Sequence, residues 1–386
     1  MTSTPTDPTR RPRRWRATLV VPITLLFLAL SACADKAPLT TLEPQGPRAR
    51  SIDRLSDPVF IIAGIVFVFV QGGVLWLAWR YRKRKNDDGS LPPQVHGHTA
   101  LELTWTFVPA LILAGVGVGT VLTLLDLNDE PKGAMEVTVI GQQWWWEYRY
   151  DVDGDGTDDI VTANDLVIPA GEPVNLSITS RDVIHSFWIP ALNGKRDAVP
   201  NRVHPLVLEA DEPGVFRGQC TEFCGLSHGF MRMRVVALDP ADYAAWQANQ
   251  LEGAQEPTGE LAKEGQELFR NTCSQCHRVR GPGGNDDLFK GAALLSGAAP
   301  DLTHLASRGV FAGGVFDLWL DQDGNGEIEP DEMGEGGRLN VADLEAWLRD
   351  PPGRKPMAPD QARGMPNLEL TEEQIDALVA FLATLE

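Results

Sequence analysis

Two apolar stretches of this 386-residue chain, from about Pro58 to Trp79 and from about Leu103 to Leu125, are each long enough to cross a bilayer. A transmembrane helix needs roughly 20 such residues, and a pair of them makes a hairpin. Between the two runs RYRKRK, residues 80–85, whose excess of Lys and Arg marks the connection as cytoplasmic. Both ends of the hairpin therefore face outward, and everything after it folds on that side. Trp76, Trp79 and Trp105 sit where an aromatic belt anchors such helices. Glu102, at the start of the second stretch, is an interfacial carboxylate or a functional one.

Upstream, TRRPRRWRATLVVPITLLFLALSAC has an Arg-rich start, an apolar centre and small residues before Cys33, the layout of a secretory signal. Leu30, Ser31, Ala32 and Cys33 match a bacterial lipobox, which puts a lipid on Cys33; an unprocessed signal anchor is the alternative. The expected plan is a lipoprotein signal peptide over 1–32, an outer segment over 33–57, transmembrane helices over 58–80 and 101–127, and a cytoplasmic loop over 81–100.

Beyond the hairpin the pattern changes. MEVTVIG, DLVIPAG, PVNLSITS, HPLVLEA and MRMRVVAL are short β-branched and apolar runs broken by Gly, Pro and Asp, which predicts a β-sandwich or barrel over 134–240. A short helix, ADYAAWQANQLE, and the linker GAQEPTGE fill 241–260. From 261 to 386 apolar residues recur at helical spacing, first in ELAKEGQELFRN and finally in LTEEQIDALVAFLATLE behind a Thr371 cap. The net charge of −19 repels phosphates and disfavours nucleic acid as a partner.

Each of the five cysteines sits in a local signature, and none is left for a structural disulfide. Cys33 closes the signal. Cys220, Cys224, His228 and Met231 lie within a dozen positions, with His185 upstream in VIHSFW. Thiolate, imidazole and thioether donors together select copper. A Cys220–Cys224 disulfide is the plainer alternative. Two loops of a rigid β-scaffold, one bearing His185 and one bearing 220–231, can fix a geometry that a single peptide cannot. Cys273 and Cys276 open CSQCH, the pattern for covalent c-type haem attachment, with His277 as an iron ligand. No second pair follows at zinc spacing.

Two acidic strings carry oxygen donors. DQDGNGEIEPDE, residues 321–332, reproduces an EF-hand loop, with side chains of Asp321, Asp323, Asn325, Glu329 and Glu332, the main-chain carbonyl of Glu327, Gly326 at the turn and Ile328 at the apolar position. The Gly-rich MGEGG just after it weakens the usual exiting helix. DVDGDGTDD offers Asp151, Asp153, Asp155 and Asp159, although Asp-Gly pairs form turns on their own.

The hairpin, GQQWWWEYRY, VIHSFWIP, DAVPNRVH and CTEFCGLSHGFM together resemble subunit II of bacterial haem-copper cytochrome c oxidases, in the variety with a cytochrome c domain fused at the carboxyl end. The resemblance covers nearly the whole chain after the signal. It implies a multidomain membrane protein with a two-helix transmembrane hairpin, an all-β cupredoxin-like Greek-key sandwich and an all-α cytochrome c domain. It implies a binuclear copper A centre held by His185, Cys220, Cys224, His228, Met231 and the main-chain carbonyl of Glu222, with Met231 preferred over Met233 by spacing. The side chain of Glu222 would reach a magnesium ion shared with subunit I. Electrons would enter from cytochrome c at Trp144. Because adjacent strand residues face opposite sides, at least one of Trp144, Trp145 and Trp146 is expected to be exposed near the metal. Met365 in GMPNL would be the sixth haem ligand, with Met357 and His304 as rivals. On this reading the chain relays electrons from haem c or a soluble donor through copper A to subunit I, which reduces oxygen, within a complex that includes subunit III in the bacterial plasma membrane. A copper A protein of another redox complex and a lipid-anchored copper-delivery protein are the alternatives; the hairpin and fused haem oppose the first, and the binuclear ligand set, the Trp run and CSQCH the second.

Overall fold

The computed structural model describes residues 37–83, 96–281, 299–334, 336–361 and 363–386. The signal segment, Cys33 and most of the link between the apolar stretches lie outside the described residues. Of the N-terminal unit that ends at Thr40, residues 37–40 are described and form a turn. The unit from Thr41 onward holds the helices and sheets.

The apolar stretches form α1 (Pro47–Arg80) and α2 (Thr99–Leu127). Helix α1 begins before the apolar run because PRARSIDRLSD is helical too, with a proline in its first turn, where the missing N–H costs nothing. At 1.5 Å per residue its 34 residues span about 51 Å, more than the roughly 30 Å of a hydrocarbon core. The polar overhang is used. Ser51 Oγ donates to Asp126 Oδ2 at 2.9 Å and Arg48 Nη2 to the carbonyl of Asp129 at 2.9 Å, which joins the N-terminal end of α1 to the C-terminal end of α2. Arg50 pairs with the carboxylate of Asp211, so the hairpin is tied to the β-domain above it. Glu102 proves to be a cap: its Oε1 accepts from the backbone N–H of His98 at 3.1 Å while His98 Nδ1 accepts from Leu101 N at 3.4 Å.

The β-domain contains β1 (Met135–Gln142), β2 (Trp145–Tyr150), β3 (Ile160–Ala163), β4 (Asp165–Pro169), β5 (Val174–Ser180), β6 (His185–Phe187), β7 (Arg196–Ala198), β8 (His204–Leu208), β9 (Gly214–Gln219) and β10 (Arg232–Leu238). One sheet has the order β3-β2-β1-β5-β8 and the other β4-β10-β9, and the chain crosses between them at β3–β4, β4–β5 and β8–β9. The β1/β5 and β4/β10 pairs are parallel, and the other pairs in these two sheets antiparallel. Val137, Val139, Tyr148, Leu176 and Ile178 of the first sheet face Leu166, Ile168, Met233 and Val235 of the second across one apolar core. Burying a large side chain of this kind contributes roughly 1.5–3 kcal/mol, which makes this layer the rigid base for the loops at its end.

After α3 (Pro240–Leu251) the helical domain is built on α4 (Glu260–Thr272) and α7 (Glu372–Leu382), whose Phe269 and Phe381 rings lie 5.4 Å apart. Thr371 caps α7 as the sequence predicts, in a reciprocal pair with Gln374. A two-stranded ribbon, β11 (Val310–Phe311) with β12 (Phe316–Asp317), and α5 (Val341–Arg349) and α6 (Pro351–Arg354) complete it. This domain sits against the β-domain through charged clamps. Arg234 holds both carboxylate oxygens of Asp165 at 3.0 and 2.9 Å and donates to the carbonyl of Ile328 at 3.1 Å. Arg217 Nε meets the Glu327 carboxylate at 2.7 and 2.8 Å, and Arg280 Nη1 donates to the carbonyl of Asp159 at 2.7 Å.

Candidate metal centre

Strands β9 and β10 are antiparallel neighbours, so residues just past their ends are brought together whatever lies between. Cys220 follows β9, Met231 precedes β10, and Cys220 N donates to the carbonyl of Met231 at 3.0 Å to close the loop. Inside the loop a short 3-10 turn carries His228. His185 is the first residue of β6 and not, as the sequence pattern predicts, part of a connecting loop. Its ring needs the space beside β1 that Gly141 leaves: a Cβ there would lie 2.8 Å from His185 Cδ2.

The donors converge. Cys220 Sγ and Cys224 Sγ are 3.8 Å apart, which is no disulfide, and both cysteines are buried and free. His185 Nδ1 lies 4.0 Å from Cys220 Sγ, His228 Nδ1 3.5 Å from Cys224 Sγ, and Met231 Sδ 3.8 Å from Cys224 Sγ. The carbonyl oxygen of Glu222 lies 3.3 Å from Cys220 Sγ, while its side chain is exposed. Met233 is instead buried within β10 in the apolar core, where it packs beside Gly218. Two thiols, two imidazoles, a thioether and a carbonyl around one space fit soft, redox-active metal. The hydrogen bond between the thiols lowers Cys220 to about 4 and raises Cys224. One proton is therefore shared, and a metal must displace it to be held by both sulfurs.

Asp182 carries no motif of its own, and its place three residues before a ligand histidine is the available signal in the sequence. Its Oδ1 lies 2.9 Å from His185 Nε2. A carboxylate only accepts, so Nε2 carries the proton and Nδ1 turns its lone pair toward the sulfurs. Asp182 also accepts from the backbone N–H of Gln143 at 2.8 Å and of Val183 at 2.7 Å. Burial raises its pKa, but the hydrogen bonds from His185, Gln143 and Val183 outweigh that and lower it. Gln143 Nε2 and Trp144 Nε1 both donate to the carbonyl of Cys224, at 2.7 and 3.0 Å, and so fix the ligand loop.

The tryptophans depart from the expected alternation. Trp144, Trp145 and Trp146 are 2%, 6% and 0% exposed, so none reaches solvent appreciably. Strand alternation fails here because Trp144 belongs to the turn between β1 and β2, and because the helical domain covers it: Lys355 Nζ donates to its carbonyl at 2.6 Å.

In the helical domain Cys273 ends α4, and the backbone N–H groups of Cys276 and His277 both donate to its carbonyl, at 3.0 and 2.9 Å. His277 Nδ1 meets the carbonyl of Pro300 at 2.9 Å and must donate to it, which frees Nε2 as a ligand. Buried N–H groups of Arg278, Arg280 and Arg308 make no hydrogen bond among the described residues, although Arg280 Nε lies 3.9 Å from Asp301 Oδ2, and such donors suit the propionates of a haem. His304 is unavailable to iron, because its Nδ1 lies 2.6 Å from Glu386 O and its Nε2 3.0 Å from Glu252 O. Met365 is half-buried against the helical core, and Met357 packs beside Gly364.

Carboxylate oxygens of Asp321, Asp323 and Glu332 gather within 4.8 Å, as do those of Asp151, Asp153 and Asp159. Asp155 is not in that group; it accepts from the backbone N–H of Thr157 at 2.8 Å, as Asp151, Asp153 and Asp159 accept from Gly154, Asp155 and Val152. Glu329 caps the 3-10 turn Pro330–Glu332 that stands where an exiting helix would, and the side chain of Glu327 belongs to Arg217.

The fold and donor sets define a membrane protein with a cupredoxin-like domain and a cytochrome c domain, a class whose sites suit copper and haem c. Residues 39–121 match the family model "Cytochrome C oxidase subunit II, transmembrane domain", 155–238 "Cytochrome C oxidase subunit II, periplasmic domain" and 262–349 "Cytochrome c". Cytochrome c oxidase subunit 2 of Alkalihalophilus pseudofirmus is 34% identical over 381 residues, covering 96% of this chain and 98% of that one. The protein of the same name from Bacillus sp. PS3 is 32% identical, covering 94% and 95%. The periplasmic domain of subunit II of cytochrome oxidase from Bradyrhizobium japonicum is a solved structure 29% identical to this chain, covering 31% of it and 95% of that structure, with a TM-score of 0.29. The chain belongs to the cytochrome c oxidase subunit II family and is a subunit of an oxidoreductase complex.

Proposed function

We propose that this chain receives electrons for a respiratory cytochrome c oxidase, taking them from cytochrome c by way of its fused haem c and passing them through binuclear copper A to the haem-copper subunit I. The convergence of His185, Cys220, Cys224, His228, Met231 and the Glu222 carbonyl in a chain that also carries CSQCH is the observation behind this reading. When bound, copper A and haem c supply one-electron transfer with little change of geometry.

The chain's own residues set the conditions. Asp182 holds the tautomer of His185, Gln143 and Trp144 hold the Cys224 carbonyl, and Trp146 and Phe187 keep the site dry. Trp144 lies beneath the fused domain, so it takes electrons from that domain and not from a soluble partner; external donors meet the cytochrome c domain first. His277 and Met365 hold iron, and Cys273 and Cys276 make the thioether links. Phe223 and Leu226 are exposed beside Glu222, and this apolar rim of the ligand loop is the surface offered to subunit I. There Glu222 reaches the shared magnesium ion, and subunit III completes the complex. The hairpin spans the plasma membrane with both redox domains on the outer side, anchored further by lipid on Cys33.

Purification of the complex tests the reading: a many-spanning haem-copper partner should co-purify, and the copper should give a mixed-valence electron paramagnetic resonance signal. An isolated lipoprotein without that signal would leave the copper-delivery alternative standing. Glu222→Gln should lower bound magnesium or manganese, and unchanged metal content counts against its role. The loop at 321–332 takes calcium through Asp321, Asp323, Asn325, Glu327, Glu329 and Glu332; Asp151, Asp153 and Asp159 form a weaker second site. Calorimetric titration with calcium that yields no heat and no melting shift dismisses both.

A further inference from the structure

The segment between α6 and α7 carries Met365, yet three of its residues make polar contacts to the copper domain. Lys355 Nζ donates to the carbonyls of Trp144 at 2.6 Å and Ala312 at 2.8 Å. The next carbonyl, Pro356 O, accepts at 2.5 Å from the hydroxyl of Ser227, a fully buried residue of the copper-ligand loop next to His228. Further on, Arg363 Nε lies 3.5 Å from Asp182 Oδ2, on the carboxylate whose other oxygen holds His185. Ala358 and Arg363 exchange backbone hydrogen bonds at 2.9 and 3.1 Å, so the segment folds back between its anchors. Gly313, with φ of +79°, sits where Lys355 comes in; a Cβ there would collide with Nζ and lie 2.6 Å from the Trp144 carbonyl.

We propose that residues 355–358 and Arg363 act as a strap that positions the haem-bearing domain on the copper centre, with Lys355 clamping the Trp144 backbone and Arg363 engaging the Asp182–His185 pair. The strap links the backbone that bears Met365 to a copper ligand through two side chains, Arg363 and Asp182. Lys355 and Arg363 touch no metal ligand and act as positioning residues. Arg234, Arg217 and Arg280 hold other parts of the helical domain to the β-domain, so the strap fixes the face that lies against the copper-donor loop and sets how firmly the Met365 segment is held there. Electron transfer depends on how far apart two centres are and how firmly that separation is held, so loss of the strap slows transfer without removing either cofactor.

This inference rests on the redox reading of both sites, and the experiment separates the two. Full-length Lys355→Met/Arg363→Gln protein should keep its covalent haem, its mixed-valence copper signal and its rate of haem reduction by the donor. After flash photoreduction, haem-to-copper transfer should slow by about tenfold, the equivalent of about 1.4 kcal/mol. Amide hydrogen exchange across 225–231 and 355–363 should quicken, and Arg363→Lys, which keeps the charge, should retain most of the wild-type rate. Should Lys355→Met lose copper through its two orphaned carbonyls, Arg363→Gln decides alone, with a slowing of about threefold expected for a partly exposed pair. Wild-type transfer and exchange in a loaded variant overturn the strap. A wild-type protein that transfers no electron from haem to copper overturns the redox reading instead.

Discussion

At the residue scale, the donors that converge in the structure were legible because their chemistry is rare and their spacing local: Cys220, Cys224, His228 and Met231 occupy one loop, and His185 joins them from β6. The residues that aim them were not legible, since Asp182 and Gln143 are ordinary polar side chains until the fold puts them beside His185 and Cys224. Asp182→Asn should weaken copper retention about 10- to 100-fold in competition with a chelator, as loss of such a histidine-orienting group generally does. Unaltered retention would remove Asp182 from the site. Lys355 gives a pH dependence. Burial pushes it from 10.5 down to about 7, with a smaller electrostatic contribution from Cys224 opposing. Between those values the unfolded chain holds a proton that the folded chain lacks, so stability rises with pH across that window and the cost of a buried ammonium is fully present below about 7. The melting temperature of the wild type relative to Lys355→Met should therefore climb from about pH 6.5 to 9. A flat difference would argue that the amine stays charged.

At the scale of elements, hydrophobic period sufficed for the helices and most strands, but their ends answered to tertiary partners. Helix α1 runs back to Pro47 because Arg48, Arg50 and Ser51 have acceptors on α2, on the segment after it and on the β-domain. The WWW run reads as a strand with one exposed face, yet its first member is in a turn and lies under another domain. Strand β10 does more than carry Met231 at its edge: its Arg234 and the Asp165 of β4, 3% and 4% exposed, form a buried pair that also binds the helical domain. Arg234→Leu strands that carboxylate and should cost about 3–5 kcal/mol, measured by denaturant unfolding of the full protein. A loss under about 1 kcal/mol would mean that the pair is solvated in solution.

At the scale of the whole molecule, the proposed relay puts haem c before copper, because Trp144 is buried and its carbonyl is held by Lys355 of the helical domain. Stopped-flow mixing with a reduced soluble donor should change the haem c absorbance before the copper band, and Trp144→Phe should slow the second phase with copper content unchanged. Copper reduction that precedes haem reduction would show a route around the fused domain. The sequence by itself determined the hairpin, the β-domain, the helical domain and the candidate donor residues, because each is written in short-range period, composition or spacing. Only the tertiary structure decided that the tryptophans are closed to solvent, that both ring nitrogens of His304 face carbonyl oxygens, and that Lys355, Pro356 and Arg363 reach Trp144, Ser227 and Asp182. Those facts depend on pairs such as Lys355 and Trp144, 211 positions apart, and nothing local in a chain encodes which of its surfaces another part of it will cover.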